Sequence, residues 1–337
     1  NETINAGMIE MSGGDYIMQY DQEHTFYQGF SLAHDVPDMV HMMLDTVFET
    51  KNWLAMDVGA SKAQDFFKLK AQREEDGLID WDERLQELTL STAFGNKGLG
   101  NALEGSSDNL QNLENPELYP VMDFHKLYFN PNNAVICAEG VDHHEEFVDL
   151  VAEKANFIPN HFKKQPRAKA EYIGGEVRIM KDTPELRIVL AFESGSWQNP
   201  DWAALLVADT LLGSAQSFST GGPGKGMHAR ITKNLLQAKP YISSGRAINL
   251  TFTDTGLFGI EVSGLAATGK NILNDACAEL KRLTQTINAE ELNRAKNLAK
   301  TNLCLSLEEQ GDRMEEAVKN LMVVGDVRTV DNYLNMI

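Results

Sequence analysis

Two stretches of the chain repeat the same order of hydrophobic and polar positions, a strand pattern followed by a helix pattern. In the first stretch, residues 26–32 (FYQGFSL) predict a strand and residues 36–48 predict a helix with apolar residues on one face. In the second stretch, residues 257–262 (LFGIEV) predict a strand and residues 269–283 predict a helix. The shared order indicates two copies of one α+β unit.

The spacing of individual residues supports this repeat. Gly29 and Gly259 lie 230 positions apart, within the two predicted strands. Helices predicted to begin at Asp82 and Asp312 have the same separation. Two matches at one offset favour an internal repeat over a chance similarity.

Further elements are predicted between the two copies. Residues 133–139 and 175–180 predict strands, as do residues 185–193, and residues 145–154 predict a helix. The Asn-Pro-Asp cluster at 199–201 predicts the start of another helix.

The prolines and basic residues at 157–172 predict an exposed connector between two domains. The predicted organisation is a first unit at 1–156, the connector, and a second unit at 173–337 that carries a glycine-rich loop at 221–227. The repeat offset places the start of the first unit before Asn1 and the end of the second after Ile337. We therefore expect the N-terminal part of the first unit and the C-terminal part of the second to be absent.

Composition narrows the functional classes. The chain has 337 residues and a formal net charge of −19, which argues against nucleic acid as a partner and favours basic partners. An acidic surface also has the simpler role of keeping a protein soluble. The three cysteines, Cys137, Cys277 and Cys304, form no C-x-x-C pair and are expected to be buried free thiols.

The glycine-rich segment is the most informative local feature. Residues 221–226 (GGPGKG) contain four glycines and one proline, which suits either a mobile connection or close approach to a ligand. A phosphate-binding loop needs Ser or Thr after Gly-Lys, whereas Gly226 follows Lys225 here. A dinucleotide loop would follow a strand, whereas the residues before this loop predict a helix.

This loop and several other segments resemble the non-catalytic members of the pitrilysin-type zinc peptidase family. Those members are the α subunits of mitochondrial processing peptidases and the core proteins of respiratory complex III. The resemblance covers nearly the whole chain, and its other segments are 34–40, 140–145, 192–194, 253–258 and 289–296. It implies an α+β fold of two pseudo-symmetric units, each an antiparallel sheet packed with helices, as in pitrilysin/LuxS-like metallopeptidases.

The resemblance also implies a function and a location. This chain would carry no catalytic residue and no cofactor, and a β processing-peptidase or core-1-like partner would hold the zinc. The two subunits would share an acidic chamber that receives basic presequence peptides, in the mitochondrial matrix or on the matrix side of the inner membrane within complex III. The residues implied to bind substrate are Gly221, Gly222, Pro223, Gly224, Lys225, Gly226 and Met227.

Two questions stay open at the level of sequence. Glu74 and Glu75 belong to an acidic run that is either a solvated surface or part of the presequence-binding wall. The chain itself is either a peptide-handling subunit or a purely structural core protein of complex III without peptide handling. The glycine-rich loop favours peptide handling, because a structural wall does not need four glycines.

No complete catalytic motif is present in these residues. None of the eight histidines begins the H-x-x-E-H motif of this family's zinc peptidases, and the repeat places the equivalent helix before Asn1. The nearest sequence, His143-His144-Glu145-Glu146, predicts a solvated helix start, because adjacent histidines point about 100° apart on a helix. His228, after the glycine-rich loop, is predicted to be a surface or packed residue.

Overall fold

The computed structural model describes residues 11, 13–49, 81–103, 118–158, 167–216, 226–285 and 287–337. Its strands are β1 (Asp15–Tyr20), β2 (Thr25–Phe30), β3 (Glu185–Ser194), β4 (Ser214–Gln216), β5 (Ile242–Thr251) and β6 (Gly256–Leu265). Its α-helices are α1 (Val36–Phe48), α2 (Trp81–Phe94), α3 (Leu118–Tyr128), α4 (His144–Lys154), α5 (Trp202–Leu212), α6 (Gly269–Leu283), α7 (Ala289–Ser306), α8 (Gln310–Val323) and α9 (Val330–Met336). A π-helix spans Ile231–Leu236.

The chain divides into two compact units. The first contains residues 1–84 and 102–168, and the second contains residues 85–101 and 169–337. The change near residue 168 falls within the predicted connector at 157–172, whereas residues 85–101 group with the second unit. Within the described ranges, no helix is long and apolar enough to cross a membrane.

In the first unit, a β-hairpin leads through a short 3₁₀ turn into α1. Strands β1 and β2 pair antiparallel, with Asp15 opposite Phe30 and Tyr20 opposite Thr25. Met39 and Met42 of α1 are buried, and the Met39 sulfur lies close above Gly29 of β2. The helix thus packs its apolar side on the hairpin, as the spacing of its apolar residues predicts.

In the second unit, four antiparallel strands form a sheet in the order β3-β6-β5-β4. One face of the central strand β6 contributes Ile260 and Val262, both fully buried. The core cluster on this face includes Ile231 and Leu235 of the π-helix and Ile272 of α6. On the opposite face, the fully buried Leu257 packs in a second cluster with Leu90 and Phe94 of α2, while Glu261 and Ser263 add polar side chains further along β6.

The two units share the same local order of elements. Hairpin β1–β2, the 3₁₀ turn Ala33–Asp35 and α1 in the first unit correspond to hairpin β5–β6, the 3₁₀ turn Ala266–Thr268 and α6 in the second. The helices begin at Val36 and Gly269, close to the predicted 230-residue offset. This order confirms the prediction of two related units with antiparallel sheets and helices.

Several predictions from the sequence were wrong. Residues 133–139 and 175–180 form no strand in the described structure. Just before the second of these stretches, the N–H groups of Ile173 and Gly174 donate to the Ala93 carbonyl at the end of α2. The chain is therefore attached to a helix at this point and not to a neighbouring strand. The cysteines are free, but Cys137 and Cys277 are exposed and not buried.

Candidate functional site

The chain approaches the glycine-rich segment along helix α5 and strand β4. Helix α5 ends at Leu212, and Gly213 adopts a positive φ of 75° that only glycine takes without strain. The next three residues form β4, which pairs with β5 at the edge of the sheet. The helix predicted before the loop, at residues 201–212, is thus confirmed, and a short strand that was not predicted follows it. The sheet is antiparallel, unlike the parallel sheet of dinucleotide-binding folds.

The structure describes two of the seven residues predicted to bind substrate. Gly226 lies in a turn with φ of 82° and is half-buried, and no other described residue has an atom within 4 Å of the position that its β-carbon would occupy. Met227 is half-buried. Residues 221–225, as well as Glu74 and Glu75, lie outside the described residues.

The flanks of the segment are well packed. The Gly226 carbonyl accepts hydrogen bonds from the Ala229 N–H at 2.9 Å and from the hydroxyl of Thr232, which is fully buried, at 3.2 Å. A β-carbon on Gly213 would lie 2.4 Å from the Ala229 β-carbon, so the chain before β4 and the chain after the segment touch. The described chain before and after the segment is therefore in contact at Gly213 and Ala229.

A buried ion pair follows immediately. The Arg230 Nε and Nη2 atoms donate to the two carboxylate oxygens of Glu291 on α7, at 2.8 and 3.0 Å. Hydrogen bonds from Arg230 hold the pKa of the Glu291 carboxyl below its usual range. Arg230 itself is only 7% exposed and the Glu291 side chain 21%, so this bidentate pair is largely but not completely shielded from solvent.

A second carboxylate supports the π-helix that begins after Arg230. The side-chain amide of Asn234 donates to both oxygens of Glu279 at 3.1 Å, and the Glu279 side chain is completely buried. Arg282, one turn further along α6, donates to the same carboxylate at 2.8 Å. Arg230, Asn234, Arg282 and Glu291, together with Gln285, line a cleft of about 300 Å³.

The sequence analysis gave none of these residues a role. Arg230 and Glu291 are 61 positions apart, and Asn234 and Glu279 are 45 positions apart. No local pattern links residues at such separations. The available signal was that Arg230 closely follows the glycine-rich loop and that Glu291 lies in segment 289–296 of the resemblance described above.

One half-buried acidic side chain in the second unit has a raised pKa. Burial raises the pKa of Asp209, on α5, to about 6. Asp209 lies in the last turn of α5, close to the point where the chain enters β4. The stability of this end of the helix is therefore expected to depend on pH.

The histidine-rich helix start and His228 match their predictions. Helix α4 begins at His144, and the residues 143–146 are all exposed to solvent. His228 is also exposed, and its carbonyl accepts a long hydrogen bond of 3.4 Å from Arg294. Among the described residues, no group of three or more His, Cys, Asp or Glu side chains could hold a metal ion.

Comparison with known proteins defines the class of this chain. Residues 120–299 match the family described as the Peptidase M16 inactive domain, and the chain belongs to this family. This assignment agrees with the two-unit fold and with the resemblance found in the sequence.

Particular relatives are processing-peptidase subunits. The chain is 29% identical to the mitochondrial-processing peptidase subunit alpha of Solanum tuberosum, over 98% of this chain and 64% of that protein. It is 27% identical to the probable alpha subunit of Schizosaccharomyces pombe, over 91% of this chain and 61% of that protein. It is also 27% identical to the beta subunit of Mus musculus, over 89% of this chain and 60% of that protein. The chain thus spans less than two thirds of the length of these curated relatives.

A solved structure shows the same fold. A chain in the structure of complex III2 from Candida albicans, with Inz-5 bound, superposes with a TM-score of 0.82. The match covers 99% of this chain and 79% of that chain, at 19% sequence identity. The fold is therefore shared although most residues differ.

Proposed function

We propose that this chain is the non-catalytic α subunit of a mitochondrial processing peptidase. It binds basic presequence peptides through the glycine-rich segment 221–227, in an acidic chamber shared with a zinc-bearing β subunit. The chain supplies no metal ligand to the reaction, and hydrolysis takes place in the partner. The heterodimer works in the mitochondrial matrix, alone or on the matrix side of the inner membrane as part of complex III.

The observation that carries this proposal is the contrast between Gly226 and the residues beside it. No other described residue has an atom within 4 Å of the β-carbon position of Gly226, whereas Ala229 and Arg230 are buried and hydrogen bonded. A glycine without a side chain, next to firmly held residues, suits binding of an extended peptide, because a peptide chain can approach closely where side chains are missing. The processing-peptidase names of the relatives support the same assignment.

The test compares two glycines with the same backbone. Gly226 and Gly325 both have φ near 80°, and neither has an atom within 4 Å of a β-carbon position. Alanine at either position imposes a similar strain of about 1 kcal/mol. In the reconstituted α–β heterodimer, Gly226→Ala should raise KM for a fluorogenic presequence peptide, and Gly325→Ala should leave KM unchanged.

Three outcomes would contradict the proposal. Zinc-dependent cleavage by this subunit without its β partner would show that it is catalytic. Unchanged KM in Gly226→Ala, together with unchanged KM after deletion of residues 221–227, would exclude the segment from binding. If the heterodimer assembles into complex III and neither change affects peptide cleavage, the purely structural core protein is the better description.

Salt dependence tests the acidic wall. Peptide affinity should fall as ionic strength rises, because attraction between exposed charges is screened over about 8 Å at physiological salt. Charge reversal at Glu74 and Glu75 should flatten this dependence. The exposed neighbours Glu308 and Glu309 form a matched control pair in the other unit. If both double variants change the salt dependence of peptide affinity equally, the effect comes from the net charge of the chain and not from Glu74 and Glu75 in particular.

A further inference from the structure

The cleft beside the π-helix lies entirely within the second unit and is lined by polar side chains. The π-helix and the residue before it supply Asn234 and Arg230, the end of α6 and the chain after it supply Arg282 and Gln285, and the first turn of α7 supplies Glu291. The cleft volume of about 300 Å³ is at the lower end of the range for small-molecule sites. The cleft is therefore large enough for a small ligand with a polar or charged group.

The carboxylates at this cleft are already occupied by donors from the chain itself. Both oxygens of Glu291 accept hydrogen bonds from Arg230. Both oxygens of the fully buried Glu279 accept from Asn234, and Arg282 donates to one of them as well. The two negative charges are therefore compensated within the fold, and neither carboxylate needs a cation from outside.

The unused hydrogen-bonding capacity of the cleft consists mainly of donors. The Arg282 guanidinium has five N–H groups, and among the residues that the structure describes only its Nη1 has a partner, the Glu279 carboxylate. The Arg282 side chain is 57% exposed, so its other N–H groups can reach a ligand. The side-chain amide of Gln285 is exposed and has no partner within the described ranges. A ligand that satisfies these groups carries hydrogen-bond acceptors.

The elements around the cleft are basic, in contrast to the acidic chain as a whole. Residues 230–239 together with α6 and α7 contain nine basic and four acidic residues, whereas the whole chain contains 30 basic and 49 acidic residues. The paired Glu279 and Glu291 are two of these four acidic residues. The C-terminal end of α6 and the N-terminal end of α7 both lie at the cleft, so their helix dipoles offset each other there. The local excess of positive charge favours an anion as the ligand.

We propose that this cleft is a binding site for a phosphate group, either free or carried by a small organic molecule or a lipid headgroup. Arg282 binds two phosphate oxygens through its guanidinium, and Gln285 donates to a third. A carboxylate has only two oxygens, which one guanidinium satisfies, whereas a phosphate offers a third acceptor oxygen to the second donor. The site does not depend on peptide binding, so it holds or fails separately from the proposed function.

The experiment measures binding of small anions and of vesicles to the full chain. Inorganic phosphate, glycerol 3-phosphate and acetate are titrated by calorimetry, and co-sedimentation is measured with phosphatidylcholine vesicles that contain or lack phosphatidic acid. We expect saturable binding of phosphate that weakens as the chloride concentration rises. Arg282→Gln should weaken it about tenfold or more, because charge-assisted hydrogen bonds to the anion are lost. Gln285→Ala should weaken it about threefold, because one neutral donor is lost.

Lys281 is the matched control, since it is the exposed basic neighbour of Arg282 on α6 and does not line the cleft. Lys281→Gln removes the same charge and should leave the affinity for phosphate nearly unchanged. If Arg282→Gln fails to fold because Glu279 loses a donor, Gln285→Ala still decides the question. The Gln285 side chain is exposed and has no partner to lose in the described part of the chain.

The outcomes separate a phosphate site from its alternatives. The absence of saturable binding by every phosphate probe would overturn the proposal, and so would wild-type affinity in both Arg282→Gln and Gln285→Ala. An equal loss of affinity in Lys281→Gln would also overturn it, because overall charge would then explain the binding. Acetate that binds as tightly as phosphate would contradict recognition of a third oxygen. Binding of inorganic phosphate and glycerol 3-phosphate without binding of vesicles would identify a small phosphate compound, whereas binding only of vesicles that contain phosphatidic acid would identify a lipid headgroup.

Discussion

The hairpin–helix motifs of the two units are built in the same order but are packed differently. In the first unit, β1 and β2 have six residues each, and most of their side chains are exposed or half-buried. In the second, β5 and β6 have ten residues each, and β6 is buried along nearly its whole length between two neighbouring strands. One local pattern thus serves as a surface layer in one unit and as the centre of the core in the other.

The two glycines that revealed the repeat show the consequence. A β-carbon on Gly29 would meet the sulfur atoms of Met39 and Met43 at 2.7 and 2.8 Å. A β-carbon on Gly259 would lie 2.0 Å from the Leu190 carbonyl oxygen, which belongs to the backbone of β3. Methionine side chains can move aside, whereas a paired backbone cannot. A side chain at position 29 can therefore be accommodated by movement of its neighbours, whereas position 259 strictly requires glycine.

The largest expected effect is that of Gly259→Ala. The added methyl group must push β3 away from β6 and break their ladder, which should cost about 3 kcal/mol or more. Hydrogen exchange measured by mass spectrometry should show loss of protection in peptides from β3 and β6. Peptides from β1 and β2 should keep wild-type exchange. Wild-type protection throughout β3 and β6 would contradict the close approach of the two strands.

These contrasts also show what the sequence could reveal. Helices α1 and α6 have the predicted bounds, because their apolar residues recur at helical spacing and flank clear strand patterns. The repeat and the antiparallel α+β architecture were predictable for the same reason. Residues 175–180 were misread because alternating Val177 and Ile179 suggest a half-buried strand, although both side chains are exposed here.

The candidate site was less predictable than the fold. The glycine-rich segment is visible in the sequence because its composition is unusual. The π-helix at Ile231–Leu236 has no comparable pattern, since its wider turns have no sequence period of their own in so short a stretch. The contacts of Arg230 and Asn234 with distant glutamates depend on how α6 and α7 pack, which only the folded chain decides.

The second-largest effect concerns the response of the second unit to pH. Burial raises the pKa of Asp209 to about 6 from its ordinary value of 3.8, so the folded state binds a proton before the unfolded state does. The contribution of Asp209 to the stability of the second unit should therefore become more favourable as pH falls from 7.5 towards 4. Asp209→Asn should stabilise this unit by about 2 kcal/mol at pH 7.5 and by much less at pH 4.5.

The control residue for this prediction is Asp201, at the N-cap of the same helix. Asp201 precedes α5, is exposed and caps the helix without a side-chain hydrogen bond. Asp201→Asn should not change how protection of β5 and β6 depends on pH. A parallel change in both variants would assign the effect to the helix as a whole and not to the buried carboxyl.

The first unit should respond to pH in the opposite direction. His125 on α3 is buried, and its Nε2–H donates to the Val47 carbonyl of α1 at 2.7 Å. Burial lowers the pKa of His125 from its ordinary value of 6.5, although the hydrogen bond to Val47 partly offsets this. Below pH 6.5 the unfolded state binds the proton more readily, so the first unit should lose stability as pH falls.

His125→Gln keeps a side-chain donor and removes the titration, so it should flatten the pH dependence of exchange in α1 peptides. The exposed His34, in the same unit, is the matched control, and His34→Gln should leave that dependence intact. We expect a smaller effect than at Asp209, because two influences on the His125 pKa oppose each other. A first unit that gains protection between pH 6.5 and 5.5 would contradict this account.

The smallest expected effect is that of Gly29→Ala, which completes the comparison with Gly259. The atoms nearest to the new methyl group are the sulfur atoms of Met39 and Met43 and the Cγ of Met39, and these flexible side chains can rotate away at a cost of about 1 kcal/mol or less. Part of this cost is offset because alanine restricts the unfolded chain more than glycine does. Exchange in β2 and α1 peptides should change by less than about fivefold. A destabilisation as large as that of Gly259→Ala would mean that α1 is packed on the hairpin as rigidly as β3 is on β6, and the contrast between the two motifs would fail.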